Sequence, residues 1–271
     1  MLAKFLFPPR CAACRALLPW TALGDDGVRG KAIERALCAS CRAKWLEAER
    51  VECSTCACPV RLCLCMPQSL KSARMHALFK LSYYVPRKRE HVQNRVIYHI
   101  KASGERRTSR FLSERLAPSI AETLRVKGIS LEDCTVTYLP RSMRAVLANG
   151  VDQSKNLAKA LSSLLGIKTV CLIRRRRGAN RVQKQLSFEE RAKNAKNAFL
   201  PARHADCRGK TVLLVDDIVT TGAGMAACSR ILYSLGARRV LGVTAAVDEI
   251  NQDLGVKGVI YRDFREENGI F

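Results

Sequence analysis

Short runs of aliphatic and β-branched residues recur along the second half of the chain, with polar residues between them. Four such runs have the composition of strands buried on both faces and lie at 136–139, 169–173, 212–215 and 240–247. We therefore predict that these four segments are strands of one buried sheet.

Helical patterns separate these runs. Apolar residues recur at helical spacing within Leu157–Leu165, just before Gly166, and within Met225–Leu235, just before Gly236. Glycine is common immediately after a helix because it adopts a positive φ without steric cost. Strands that alternate with helices predict an α/β fold, with a mostly parallel sheet flanked by helices.

Cysteines concentrate at the start of the chain, where nine of the 13 lie within the first 65 residues. Cys11 and Cys14 form one Cys-x-x-Cys pair, and Cys38 and Cys41 form a second after 23 residues. Together they supply the four thiolates of a closed tetrahedral site, which is typical of structural Zn²⁺. A short amphipathic helix is predicted after Cys41.

A second set of cysteines is less regular. Cys53 and Cys56 are followed by Cys63 and Cys65, with Cys58 as a spare candidate. This spacing favours a second zinc ion, while redox chemistry at Cys53 and Cys56 and iron–sulfur ligation stay open because they use the same residues. We predict a small zinc-binding module at 1–66, followed by a polar linker at 67–74.

Charge narrows the class of protein. Lys and Arg number 47 against 24 Asp and Glu, a net charge of +23, and the excess is densest at Arg174–Arg177.

The hydrophobic fraction of 48% supports a buried core and excludes disorder for most of the chain. No apolar run approaches the ~18 residues of a membrane span, and Met1–Pro9 does not have the pattern of a secretory signal. These features predict a cytoplasmic protein.

The segment after the run 212–215 carries the most specific chemistry. Asp216 and Asp217 follow it directly, and Thr220, Thr221 and the small residues Gly222–Gly224 precede the next predicted helix. A helix N-terminus offers unpaired N–H donors to an anion, and adjacent carboxylates accept hydrogen bonds from the vicinal hydroxyls of a sugar. The segment therefore predicts a ribose 5-phosphate site. The chain has no Walker A pattern, which disfavours a P-loop NTPase.

This segment also resembles a known signature. Residues 216–223 resemble the phosphoribosyl pyrophosphate motif of type I phosphoribosyltransferases, and the whole chain resembles the ComF (competence protein F-like) family, which joins a Cys-rich module to such a domain. Two further stretches carry the resemblance: Phe7-Pro8-Pro9-Arg10-Cys11-x-x-Cys14 and Gln183-x-x-Leu186-Ser187-x-x-x-Arg191-x-x-Asn194-x-x-x-Ala198-Phe199. The chain departs from the family at Gly224, where a hydroxyl residue is usual.

The resemblance implies a type I phosphoribosyltransferase-like domain at 67–271 and a ligand, phosphoribosyl pyrophosphate with Mg²⁺. In such a domain Asp216 and Asp217 hold the ribose hydroxyls, while Arg141 and Arg144 belong to a loop that binds pyrophosphate. The 5-phosphate would be held by Val219, Thr220, Thr221, Gly222, Ala223 and Gly224. Cations of a mobile loop would close over the leaving group, with Arg174, Arg175, Arg177 and Lys184 as candidates.

Two functions are compatible with these features. The first is transfer of phosphoribosyl to an acceptor, in a protein linked to DNA uptake or utilisation. The second is non-catalytic binding of single-stranded nucleic acid, with the pocket as a ligand sensor and with DNA-uptake or helicase-type proteins as partners. In the second, Tyr83 and Tyr84 would stack bases beside a basic surface made of Lys71, Arg74, Lys80, Arg87, Lys88, Arg89, Arg106, Arg107, Arg110 and the Arg174 run.

Overall fold

A computed structural model describes residues 8–19, 32–103, 106–142, 146–147, 150–176 and 197–248. The helices with described bounds are Ala32–Ala36 (α1), Ala39–Arg50 (α2), Gln68–Lys71 (α3), Val92–Ser103 (α4), Arg106–Val126 (α5), Gln153–Leu165 (α6) and Ala223–Ser234 (α7). The strands are Ala77–Phe79 (β1), Ser82–Tyr84 (β2), Cys134–Tyr138 (β3), Ile173–Arg175 (β4), Phe199–Pro201 (β5), Thr211–Val219 (β6) and Arg239–Asp248 (β7). Within these ranges, no helix combines the length and the apolar character that crossing a bilayer requires.

The main sheet is parallel and is built around β6 and β7. Its strand order is β1-β7-β6-β3, and β2 continues the β1 edge by pairing with the far end of β7. Every pairing in this sheet is parallel. The predicted strands at 136–139, 212–215 and 240–247 are confirmed as parts of β3, β6 and β7, and the predicted α/β class with a parallel sheet is confirmed as well.

Side chains of the central strand alternate between two buried layers. Leu213 and Val215 of β6 belong to one hydrophobic cluster, which also contains side chains of α5 and α6. Val212 and Leu214 belong to a second cluster, which contains side chains of α7. Because successive residues of a strand point to opposite faces, an aliphatic run without polar interruptions requires a layer of structure on each side.

The predicted strand at 169–173 is wrong. Thr169 pairs with Val136 through a single parallel bridge, and β4 begins only at Ile173. β4 then pairs antiparallel with β5, away from the main sheet. Leu172 and Ile173 are each 1% exposed, so burial explains their aliphatic character. A buried run has the same composition whether or not its backbone joins a sheet.

The three predicted helices are present. Gly166 has φ 69° at the end of α6, and Gly236 has φ 86° just after α7, which are conformations that glycine adopts without strain. The side chain of Asp152 caps the start of α6 by accepting from the Lys155 amide at 3.1 Å. The helix predicted after Cys41 is α2, and it begins earlier, at Ala39.

The segment 67–74 is not the polar linker that its composition predicts. It contains α3, whose Leu70 is fully buried in the same cluster as α7. The Ser229 hydroxyl of α7 donates to the Ala73 carbonyl at 2.9 Å. The segment is therefore packed against α7, on one face of the main sheet. The predicted boundary between two domains at residue 66 stays a prediction.

A buried carboxylate joins the cysteine-rich region to the helices of the sheet. Glu49 of α2 is 2% exposed and accepts from the Trp45 indole at 2.7 Å. It also accepts two hydrogen bonds from Arg115 of α5, and Arg61 lies 3.7 Å from it. These contacts satisfy a charge that would otherwise be costly to bury.

We expect Glu49→Ala to lower the free energy of unfolding by about 3 kcal/mol, because removing one partner of a buried ion pair leaves the other uncompensated. Urea denaturation of the full chain measures this loss. Glu47→Ala is the matched control, since Glu47 is exposed on the same helix and its removal should change stability by less than about 0.5 kcal/mol. Equal effects of the two substitutions would contradict the anchoring role of Glu49.

Candidate functional site

The carboxyl end of β6 extends beyond its neighbour on one side. β6 pairs with β7 as far as Val219, whereas its pairing with β3 ends at Val215. Asp216 and Asp217 therefore lie inside the strand, just past the last pair with β3. A crevice at the carboxyl ends of parallel strands is where ligands of open α/β sheets bind.

This crevice is a cavity of about 480 Å³. All six residues predicted to hold a 5-phosphate line it, together with Asp216 and Arg175. The remaining lining residues are Leu139, Ala198, Phe199, Ile218 and Met225. The structure thus brings the predicted phosphate residues, one predicted ribose carboxylate and one predicted loop cation to a single cavity.

The turn from Val219 to Gly224, called here the phosphate turn, leads directly into α7. Gly222 adopts φ 73° at the N-cap, and α7 begins at Ala223. The Thr221 hydroxyl accepts from the Ala223 amide at 3.4 Å. The first amides of a helix have no partners within the helix, so this turn presents donors and the positive end of the helix dipole to the cavity.

The two carboxylates have different surroundings. Asp216 accepts from the Ser154 hydroxyl of α6 and from the Asp217 amide, both at 2.9 Å. Asp217 is 6% exposed and accepts from the Arg141 guanidinium at 2.9 Å. Burial and the neighbouring Asp217 charge hold the pKa of Asp216 well above its usual range. Arg141 compensates the charge of Asp217.

Arg175 is the cation that lines the cavity among the residues that the structure describes. Its Cζ lies 5.4 Å from the centre of the Phe199 ring, and its Nε is buried with no hydrogen-bond partner among the described residues. Burial lowers the pKa of Arg175, which nevertheless stays charged. A buried guanidinium with an unused donor at the wall of a cavity favours an anionic ligand.

Two of the other predicted cations, Arg174 and Arg141, are described and do not line this cavity. Arg174 is exposed and donates from Nε to the Pro201 carbonyl at 3.1 Å. Arg141 is occupied by Asp217. Arg144, Arg177 and Lys184 lie outside the described residues, as does most of the stretch Gln183–Phe199.

Both four-cysteine sets are assembled. The sulfur atoms of Cys11, Cys14, Cys38 and Cys41 lie within 4.8 Å of one another, and so do those of Cys53, Cys56, Cys63 and Cys65. Each set could hold a metal ion, and four converging sulfurs fit a tetrahedral cation such as Zn²⁺. Cys58 is buried beside the second set without belonging to it.

In each cluster, hydrogen bonds lower the pKa of one cysteine. Burial alone would raise the pKa of the Cys11 thiol. Hydrogen bonds from the backbone amides of Cys14, Cys38 and Ala13 have the larger combined effect and lower this pKa to about 7. Hydrogen bonds from Cys63 and Cys65 lower the pKa of Cys53. Burial and the neighbouring sulfur atoms raise the pKa of five other cysteines in the clusters: Cys14, Cys41, Cys56, Cys63 and Cys65. A bound cation would stabilise their thiolates, which are the form that ligates metal.

Lys80, which was predicted to belong to a basic surface, instead contacts the second cysteine cluster. Lys80 is 2% exposed, and its ammonium donates to the carbonyls of Cys63 at 2.9 Å and Cys65 at 2.7 Å and lies 3.4 Å from the Cys63 sulfur. Its assignment to a basic surface is wrong. Tyr83 is also buried, so it is not available to stack bases.

Two serines at the site were not predicted from the sequence. Ser154 contacts Asp216, and Ser69 of α3 donates to the Thr221 carbonyl at 2.8 Å. Neither lies near the motif in the chain. No pattern in the sequence could have identified them, because only the packing of α3 and α6 brings them to β6 and the phosphate turn.

Comparison with known proteins agrees with this geometry. The family model for the phosphoribosyl transferase domain matches residues 145–260. The DNA utilization protein YhgH of Escherichia coli K12 is 31% identical over 148 residues, which cover 54% of this chain and 63% of YhgH. The match therefore spans less than two thirds of YhgH.

Other relatives match over shorter segments. Competence protein F of Haemophilus influenzae is 34% identical over 92 residues, covering 34% of this chain and 40% of that protein. Among solved structures, a purine phosphoribosyltransferase from Pyrococcus horikoshii aligns with a TM-score of 0.30 and 18% identity, over 51% of this chain and 73% of its own. Residues 145–260 thus match the phosphoribosyl transferase domain, the chain is similar to YhgH and competence protein F over part of its length, and two four-cysteine clusters lie in its N-terminal region.

Proposed function

We propose that the cavity binds phosphoribosyl pyrophosphate with Mg²⁺ and that the protein transfers its phosphoribosyl group to an acceptor. The observation that carries this proposal is the convergence of the phosphate turn, Asp216 and Arg175 on one cavity. An anion cradle beside a carboxylate matches a molecule that has a phosphate at one end of a sugar and hydroxyls along it.

Each group has a distinct role in this proposal. The amides and hydroxyls of the phosphate turn hold the 5-phosphate, and Arg175 contributes a cation to the same wall. Asp216 and Asp217 accept hydrogen bonds from the ribose hydroxyls. Mg²⁺, carried by the phosphate oxygens of the ligand, neutralises part of the pyrophosphate charge.

The reaction is a displacement at the anomeric carbon of the ribose. The bond from that carbon to pyrophosphate breaks, the electron pair leaves with pyrophosphate, and a bond to the acceptor forms. Positive charge develops on the ribose ring, and the nearby carboxylates stabilise it electrostatically. Arg141 pairs with Asp217 in the structure, and in this proposal it turns to the pyrophosphate when the ribose hydroxyls occupy Asp217. The protein need not supply a nucleophile.

The test is calorimetry with phosphoribosyl pyrophosphate and Mg²⁺. We expect saturable binding by the wild type and a loss of affinity of about 10-fold or more in Asp216→Asn and Asp217→Asn, the size expected for hydrogen bonds to charged groups. Asp133→Asn is the control, since Asp133 is exposed and lies at the opposite end of the sheet, beside the start of β3. A wild type that gives no binding heat would overturn the proposal.

Gly222→Ala tests the phosphate turn separately. Gly222 has φ 73°, and a Cβ there would lie 2.6 Å from the Ser69 hydroxyl, so alanine must displace either the Ser69 side chain or the turn. Gly166 has φ 69° with open space around it, which makes Gly166→Ala a control for backbone strain alone. We expect each substitution to cost about 1–3 kcal/mol of stability but only Gly222→Ala to weaken phosphoribosyl pyrophosphate binding. Equal affinities of the two variants would argue against a phosphate at this turn.

We propose nucleic-acid binding as a second function, carried by a cation–aromatic surface at the turn after β2. Arg87, Lys88 and Arg89 are exposed there. Arg89 lies 5.9 Å from the ring centre of Tyr98, which packs edge to face against Tyr84 at 6.2 Å. Basic groups that follow a phosphate backbone beside aromatic rings are typical of single-strand binding.

A double variant, Arg87→Ala with Arg89→Ala, should weaken the binding of single-stranded DNA and reduce the slope of log affinity against log salt by about 1.4, since each phosphate contact contributes about 0.7. Titration across a salt series measures this slope. Arg125→Ala is the control, because Arg125 is exposed on α5 and paired with Glu122. An unchanged slope in the double variant would rule out this surface.

A further inference from the structure

The second cysteine cluster and the phosphate turn are joined by a short packed segment. Cys65 is the last residue of the cluster, and Ser69 of α3 follows four residues later. The Ser69 hydroxyl donates to the Thr221 carbonyl at 2.8 Å. This contact spans 152 positions of sequence and reaches the centre of the phosphate turn.

The contact orients the peptide that follows Thr221. A peptide bond is planar and trans, so its carbonyl and its N–H point in opposite directions. Because the Thr221 carbonyl is held toward Ser69, the Gly222 N–H points away from α3. Gly222 and Thr221 line the cavity, and this arrangement frees that amide to donate to an anion there.

The turn and α3 are in close contact. A Cβ on Gly222 would lie 2.6 Å from the Ser69 hydroxyl and 3.2 Å from Leu70. Leu70 is fully buried, so α3 cannot retreat without opening the core. A side chain at position 222 would have to displace Ser69 or Leu70, so the turn is packed directly against the side chains of α3.

The segment that carries Ser69 is held at both ends. At its start, the Lys80 ammonium binds the carbonyls of Cys63 and Cys65. At its end, Ser229 donates to the Ala73 carbonyl. The first of these anchors exists only while the second cysteine cluster keeps its shape. Four thiolates held together require a cation, because like charges at this spacing repel one another.

We propose that Ser69 is a positioning residue for the phosphate turn, and that a metal ion bound by Cys53, Cys56, Cys63 and Cys65 fixes the segment that carries it. This inference deepens the proposed function, on which it rests. The second cysteine cluster thereby helps to shape the phosphate turn, although it does not itself contact the ligand. The first cluster has no such role, because Cys11 and Cys41 pack in the hydrophobic layer on the opposite face of the sheet.

The first experiment compares Ser69→Ala with Ser72→Ala in the full chain. Ser72 is exposed at the end of α3, so it controls for loss of a serine in this segment. The ligands are ribose 5-phosphate, which uses the phosphate turn, and pyrophosphate, which does not. Hydrogen exchange of the amides at 219–224 reports the turn without any ligand.

We expect Ser69→Ala to weaken ribose 5-phosphate binding about fivefold, the factor that corresponds to one net hydrogen bond, and to leave pyrophosphate affinity unchanged. Exchange at 219–224 should accelerate in Ser69→Ala and not in Ser72→Ala. Equal exchange in the two variants would overturn the positioning role, whether or not the wild type binds the sugar phosphate. A wild type that binds neither ligand would instead overturn the proposed function.

The second experiment tests the metal ion. Cys65→Ser and Cys14→Ser each remove one ligand from a different cluster, and zinc content is measured on both full-length variants. We expect each to lose zinc, but only Cys65→Ser to bind ribose 5-phosphate more weakly and to exchange faster at 219–224. Loss of zinc from Cys65→Ser with unchanged exchange would overturn the link. If Cys65→Ser does not fold, Lys80→Met, which keeps all four cysteines, takes its place with the same expected exchange.

Discussion

The parallel pairing of β6 with β7 is the constraint on which the rest of this structure depends. Both strands are buried on both faces, so the chain must supply a hydrophobic layer on each side, and α5 and α6 cover one face while α7 covers the other. The same pairing runs past the end of β3. The ligand cavity is the consequence, because at Asp216 and Asp217 β6 has β7 on one side and no described strand on the side of β3.

The cysteine-rich region is fastened to this sheet through two buried charges. Glu49 binds Arg115 of α5, and Lys80, between β1 and β2, binds backbone carbonyls of the second cluster. β1 and β2 form one edge of the sheet, and an edge strand with exposed backbone groups is a site for unwanted pairing. The second cysteine cluster thus contacts the loop that joins these two edge strands, through Lys80.

Much of the sheet was predictable because its residues are distinctive. The aliphatic run at 212–215, the carboxylates after it and the glycines at the start of α7 appear together in the sequence, and the structure places them on one strand and the turn that leads from it into the helix. Three of the interpretations that failed share one reason. Each was assigned from local composition, whereas a tertiary contact explains it. Ile173 of the run at 169–173 packs in the core, and Leu70 of the segment 67–74 packs in the same cluster as α7. Lys80 donates to the Cys65 carbonyl.

Sequence alone therefore determined three strands of the main sheet, three helices, the α/β class, both sets of cysteines and the local chemistry of the phosphate turn, since these depend on residues close together in the chain. The tertiary structure decided which distant side chains complete the site: Ser154 on Asp216, Arg141 on Asp217, and Ser69 on Thr221. The physical reason is that hydrogen bonds across 62 to 152 positions depend on how helices pack against the sheet, and hydrophobic periodicity specifies which face is buried but not what covers it.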